Sequence, residues 1–289
     1  MAQPGPKIIY EGPPHYEDGF LVPGKKFHIS GRPEQAREGV ELARGVSGLL
    51  RPAQEYRYDT SAEQPGSTFV SSVRNRRRIE SSINVFGDTA EEFHNNWRSW
   101  VDNNPSDREG KLWIYPPFGT PRYAFVRPNA EAGQSSMDVD PYLMRKIEGL
   151  EWGWESDYAY LFGEEPVVIP FDGDGKISFV PEGDVERMYP KIYLPGPGAY
   201  ILDNINGFKT PVLTKDEVIR FNFDPQRKTF VKRNEVTGEV TNLWYLLDGK
   251  RPEAILRAGE TFSKTILPPE GVENNLASLE YTPLYKGAY

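Results

Sequence analysis

A chain of 289 residues, 38% hydrophobic and 26% charged, has enough apolar material for a substantial core, which excludes a disordered protein. Its formal charge of −8 is spread over both halves, with 19 basic against 25 acidic residues up to Glu165 and 15 against 17 beyond it. Neither half is therefore a basic nucleic-acid-binding domain. The absence of cysteine excludes disulfides and thiolate metal sites.

Aromatic residues reach 13%, and Gly (27) and Pro (26) are frequent, a mixture that predicts a mainly β protein of short strands and tight turns. The amino-terminal MAQPGPKIIYEG lacks the pattern of a secretion signal, and no apolar run approaches membrane-spanning length, so a soluble chain is expected. Residues 1–30, rich in Pro, Gly and aromatics, read as an extended arm or edge segment. Gly39–Gly45 alternates apolar and polar residues and predicts a short strand, whereas the polar stretch Pro52–Gly66 reads as a loop.

Ser67–Val73 is strand-like, and Arg74–Arg78 leads into a second strand over Ile79–Val85. There Ile79, Ile83 and Val85 share one face and Glu80, Ser82 and Asn84 the other, as in a half-buried antiparallel strand. One helix follows. Thr89 and Glu92 have capping-box spacing, Asp88 is a second candidate cap, and Asn103-Asn104-Pro105 ends the helix. Phe93, Trp97, Trp100 and Val101 form a single apolar stripe, and each large side chain buried along it contributes roughly 1.5–3 kcal/mol. The helix is expected to cover one face of the sheet.

Leu112–Tyr115 and Arg122–Val126 predict two strands joined through Pro116-Pro117-Phe118-Gly119. Tyr142–Trp154 predicts a longer one with Leu150, Trp152 and Trp154 on one face. A domain boundary is placed near Glu164, giving domains 1–163 and 164–270 and a polar tail, 271–289, that docks on a neighbour. The second domain reads as purely β, with strands at Lys176–Val180, Lys191–Leu194, Ala199–Asp203, Glu217–Phe223, Thr229–Val231 and Thr241–Leu247. Turns every 8–12 residues indicate a β-sandwich.

No catalytic constellation emerges, so no catalytic, metal or cofactor residue is assigned. His15, His28 and His94 are far apart, without ligand spacing or a Ser or Cys partner motif; His94, beside Phe93, reads as a boundary residue. Asp172–Lys176 superficially resembles the start of a calcium loop. Lys176, however, occupies a ligand position and the glycine is misplaced, so a hairpin turn is expected. Carboxylates are abundant, but no glycosidase pair stands out. Trp152, Trp154 and Trp244 have the chemistry to stack on sugars, although burial is the more ordinary fate. Nucleotide-binding and nucleophile-elbow motifs are missing. The sharpest charge cluster is Arg74, Arg76, Arg77 and Arg78. It reads as a solvated strand end, a protein interface or a phosphate contact, and is taken as the candidate protein interface.

Several segments, in order, resemble siphophage distal tail proteins, the minor tail proteins with a belt domain and a galectin-like second domain. In the first half they are Gly39–Leu42, Gly45–Leu49, Gln64–Gly66, Arg76–Ile79, Ile83–Gly87 running into Ala90–Trp100, and Trp152–Asp157. In the second half Pro195–Gly198, Ile201–Asn204, Glu217–Asp224 and Arg227–Thr229 are similar to that family's galectin-like sandwich. The resemblance implies a mainly β fold with one packed helix: an N-terminal belt of sheet and helix, then a galectin-like β-sandwich.

It also implies a structural virion protein at the tip or baseplate of a long non-contractile bacteriophage tail, assembled in the host cytoplasm. Its copies would form a ring, usually a hexamer, joining the tail tube protein to the baseplate hub and the tail fibre or receptor-binding proteins. DNA would be passing cargo only, and no enzymatic activity or cofactor comes with the family. The negative balance of residues 1–165 would keep such a lumen from gripping DNA. Two rivals stand beside this reading. A carbohydrate-binding adhesin or receptor-binding tail protein requires an exposed aromatic platform, and a β-sandwich hydrolase requires converging carboxylates.

Overall fold

The computed structural model describes residues 6–17, 20–31, 33–60, 65–130, 132–133, 143–202, 208–249, 252–269 and 277–289. Gln64, Tyr142, Asp203, Asn204 and Gly271, invoked above, lie outside these residues. The chain divides into two compact units, Met1–Glu164 with Tyr285–Tyr289, and Glu165–Leu284. It is mainly β, with one α-helix among the described residues.

Unit 1 contains strands β1 (Lys7–Glu11), β2 (His15–Glu17), β3 (Phe20–Val22), β4 (Lys26–Ser30), β5 (Val40–Leu42), β6 (Gln54–Asp59), β7 (Thr68–Arg74) and β8 (Arg77–Phe86). Helix α1 (Ala90–Asp102) follows, then β9 (Gly110–Tyr115), β10 (Arg122–Pro128), β11 (Lys146–Ser156) and β12 (Leu161–Gly163). The main sheet runs β4-β1-β9-β10-β11-β8-β5, with β12 added beside β10. β10 pairs with β9 along Arg122–Val126 but reaches β11 only at Arg127 and Pro128. β10 thus joins two groups of strands, one along most of its length and the other at its end.

Within residues 1–30, read as an arm or edge segment, β4 is at an edge of the main sheet, and β2 and β3 form a two-stranded sheet. β1 is interior, between β4 and β9, with Ile8, Ile9 and Tyr10 buried. The alternation along β8 is as expected, Ile79, Ile83 and Val85 being fully buried. Thr89 caps α1 by accepting the Glu92 N–H at 3.1 Å, while Glu92 accepts the Asp88 N–H at 2.8 Å, one residue upstream of the usual capping-box donor. Phe93 and Trp100 are buried. Val101, expected in the same stripe, is exposed, because the sheet meets a narrower face than the sequence periodicity implied.

Trp100 anchors the core, with edge-to-face ring contacts to Tyr10 at 5.4 Å, Phe27 at 5.1 Å and Trp152 at 5.3 Å. One helical side chain thereby touches β1, β4 and β11. Trp154, beside it, donates its indole N–H to Asn104 just past the helix.

Unit 2 contains β13 (Val167–Pro170), β14 (Lys176–Phe179), β15 (Lys191–Pro195), β16 (Ile201–Leu202), β17 (Phe208–Lys209), β18 (Glu217–Asn222), β19 (Thr229–Asn234), β20 (Val240–Asn242), β21 (Phe262–Leu267) and β22 (Ser278–Tyr281). They form sheets of order β13-β22-β15-β18-β19-β20 and β14-β21-β16-β17. Phe179–Tyr281 and Phe208–Phe230 ring contacts, at 5.6 and 5.9 Å, join the two layers as in a sandwich.

The predicted strand over Thr241–Leu247 stops at Asn242. The Asn242 side chain accepts the Trp244 N–H at 2.9 Å and turns the chain into a 3-10 turn, Trp244–Leu247. Residues 278–281 lie inside the six-stranded sheet rather than in a separate tail, and Tyr285–Tyr289 belong to unit 1.

Candidate functional site

Two features of unit 1 stand apart from the core: the β6–β7 hairpin and the arginines at its base. Pro52–Gly66, read as a loop, holds β6 instead, which pairs with β7 from Gln54↔Arg74 to Asp59↔Thr68. The register shifts between Arg57 and Tyr58, leaving Val70 without an opposite residue. The two strands form a sheet of their own, and every residue of β6 is exposed.

Tyr56, Tyr58 and Phe69 cluster on this hairpin, with ring centroids 6.0–6.5 Å apart, and are 54%, 56% and 55% exposed. Three large rings in contact with each other and more than half exposed form an apolar surface patch of the kind that marks interaction sites. The only sequence signals for it are the Tyr56-Arg57-Tyr58 alternation and the Phe69-Val70 pair.

The four arginines named from the sequence do not act as one patch. Arg77 opens β8 on its buried face and is 1% exposed. Its guanidinium donates to three carbonyls, those of Gly48 at 2.5 Å, Ala159 at 3.1 Å and Lys286 at 2.7 Å. Burial lowers its pKa to about 10, so it stays protonated at neutral pH. Arg77 is thus a structural tie that brings three distant segments together. Arg76 and Arg78 are exposed and share Glu155, at 2.7 and 3.1 Å. Arg74 packs over the Tyr160 ring and donates to its hydroxyl. With Arg51, these residues surround a cleft of about 710 Å³.

The remaining candidates are dispersed. His15 is on β2 and His94 on α1 beside Phe93, while His28 on β4 contacts Glu38 at 3.0 Å. Among the described residues no three potential metal ligands converge. Asp172–Lys176 forms a tight turn in which the Asp172 carboxylate accepts the Lys176 N–H at 2.6 Å. Trp152 and Trp154 are buried and Trp244 packs on Phe221 and Phe230, so none of the three offers a sugar platform. Half-buried aromatics instead line one face of β9, β10 and β12, where Trp113, Tyr123 and Phe162 meet ring to ring and Lys111 lies over Trp113 and Tyr123. No helix among the described residues is long and apolar enough to cross a membrane.

No family model and no curated protein matches the sequence. Solved structures do match. The Dit protein of phage SPP1, described as a paradigm of the hub adsorption apparatus in phages infecting Gram-positive bacteria, superposes with a TM-score of 0.56 at 11% identity. The match covers 96% of this chain and 98% of that one. The chain shares the fold of a phage hub protein. The baseplate of phage p2 in its activated conformation contains a similar chain, with a TM-score of 0.55 at 12% identity in the strontium form and 0.54 at 12% in the calcium form. These matches cover 96% of this chain and 97% or 98% of the other. The expected architecture, mainly β with a single helix, is therefore the one found.

Proposed function

We propose that this chain is a distal tail protein, a non-enzymatic structural component at the tip of a long non-contractile phage tail. The observation that carries this reading is likeness over 96% of the chain to the SPP1 hub protein and p2 baseplate chains. Residues 1–163 act as the belt, six copies closing into a ring through which DNA passes. The domain beginning at residue 164 is a galectin-like sandwich that projects outward. The ring joins the tail tube protein to the baseplate hub and to tail fibre or receptor-binding proteins, after assembly in the host cytoplasm.

The β6–β7 hairpin supports ring closure. A closed ring needs two different complementary patches on each subunit, and the Tyr56, Tyr58 and Phe69 cluster is an apolar candidate for one of them. Arg74, Arg76 and Arg78 at the hairpin's base extend the same candidate interface, with Arg77 holding it from within.

Sedimentation velocity of the purified chain tests the reading. The expected particle has six times the chain's mass, and Tyr56→Ser/Tyr58→Ser/Phe69→Ser sediments as a monomer. A wild-type monomer that binds glycan would falsify the ring as the primary role and favour the adhesin.

A further inference from the structure

β8 has its two ends in opposite electrostatic surroundings. Arg77 begins it and Phe86 ends it, and at ~3.3 Å per residue the ends lie roughly 30 Å apart. At the first end, Arg51, Arg74, Arg76, Arg77 and Arg78 line one cleft, and the carboxylate facing Arg76 and Arg78 is Glu155. Arg77 adds a buried cation held by carbonyls alone, so its charge is not neutralised at the cleft wall. These six groups sum to +4, and removing them from the chain's −8 leaves −12 elsewhere.

At the other end, Gly87 leads into α1, whose first turn exposes Glu91 and Glu92, with Asp88 exposed just before it. Glu41 of β5 lies there too, opposite Asn84. The basic groups nearby are Lys146, paired with Glu148 at 2.5 Å, and Arg145, whose carbonyl accepts the Gly87 N–H. Counting all seven groups, this end is −3.

We propose that the arginine end of β8 in one copy docks against the acidic end of β8 in the next, a head-to-tail ionic contact between two copies of this chain. The proposal rests on the ring reading above. A two-fold contact would put like charge on like, whereas a head-to-tail contact joins opposite ends and repeats around a ring. Nucleic acid suits the arginine end alone, since the rest of the surface repels phosphate. The opposed charges speed and orient docking, and the contact weakens with salt because screening acts within about 8–10 Å.

Charge reversal in the full chain provides the test. Arg51→Glu/Arg76→Glu/Arg78→Glu makes both ends acidic, and Asp88→Lys/Glu91→Lys turns the acidic end basic, so that both ends are then basic. Arg77, Thr89 and Glu92 are left intact so that the fold and the helix cap survive, as circular dichroism melts will show. By sedimentation velocity, wild type associates about tenfold or more weakly in high salt than in low. Each reversed variant alone is monomeric, and an equimolar mixture regains assembly because the two then alternate.

Where reversal prevents folding, Arg51→Gln/Arg76→Gln/Arg78→Gln and Asp88→Asn/Glu91→Gln must lose the salt dependence. If wild type assembles and the variants assemble equally well, this contact is wrong and the ring reading stands. If wild type is monomeric at every salt concentration, both fail. If the arginine variant assembles normally but loses duplex DNA in a gel shift, the cleft serves nucleic acid and the proposal is overturned.

Discussion

Arg77→Met is the sharpest test of how unit 1 is held together. The substitution keeps much of the side-chain length but removes three hydrogen bonds from a charged donor. Such bonds contribute roughly 1.5–3 kcal/mol each, so three give roughly 4.5–9 kcal/mol. Opposing them is the cost of burying the guanidinium. Burial lowers its pKa to about 10, a drop that corresponds to a difference on the order of 3 kcal/mol.

The expected net loss is therefore about 1.5–6 kcal/mol. Urea unfolding followed by tryptophan fluorescence reads it directly, because five of the six tryptophans belong to unit 1. Arg76→Met and Arg78→Met are the controls, each expected to lose less than about 1 kcal/mol as surface ion pairs. Deleting Tyr285–Tyr289 removes the Lys286 carbonyl, so Arg77→Met in the truncated chain should be less damaging than in the full one. An Arg77→Met loss no larger than that of Arg76→Met would refute the idea that the buried guanidinium ties the three segments together.

Two further outcomes follow from burial. Trp100→Ala should lose about 3–5 kcal/mol by opening a cavity at the aromatic centre, whereas Val101→Lys, next to it on the same helix, should stay within about 0.5 kcal/mol in the same assay. Tyr200 is buried with its hydroxyl donating to the Pro195 carbonyl at 2.6 Å, and burial pushes its pKa up to about 12. Because the unfolded phenol ionises first, the full stability is present below pH 10. It then falls by about 1.4 kcal/mol per pH unit as pH rises from 10 towards 12. Tyr200→Phe should remove this group's share of that slope in urea titrations followed by circular dichroism, and an unchanged slope would count against it.

Elements carrying their own periodicity were legible in the sequence. β8 alternates cleanly, and α1 has both a cap and an apolar stripe. Three kinds of element were not. The two-residue strand β17 is too brief to show a period. β22 holds its place between β13 and β15 through pairing with distant segments, which local sequence does not reveal. β6 has no buried face, so its polar and aromatic mixture carried no hydropathic signal for a strand. The candidate site was hidden for the same reason: Arg74–Arg78 drew attention by charge, but strand alternation puts Arg77 in the interior and its neighbours outside. The aromatic cluster, on strands exposed on both faces, drew none.

The hairpin and the buried arginine belong to one argument about presentation. A two-stranded ribbon with no third strand among the described residues is marginally stable by itself, and one exposing three rings and Val70 is a liability for stray association. Here the base of the ribbon is fixed. The Asn75 N–H bonds the Ala53 carbonyl at 3.1 Å where the strands meet, and two residues on Arg77 binds Gly48, Ala159 and Lys286. Charged Arg57 and Asp59 beside the tyrosines keep the free ribbon soluble, and the rigid root lowers the entropy lost when a partner docks. A surface that exposes three rings on a root fixed by a buried cation makes physical sense if another molecule docks on it.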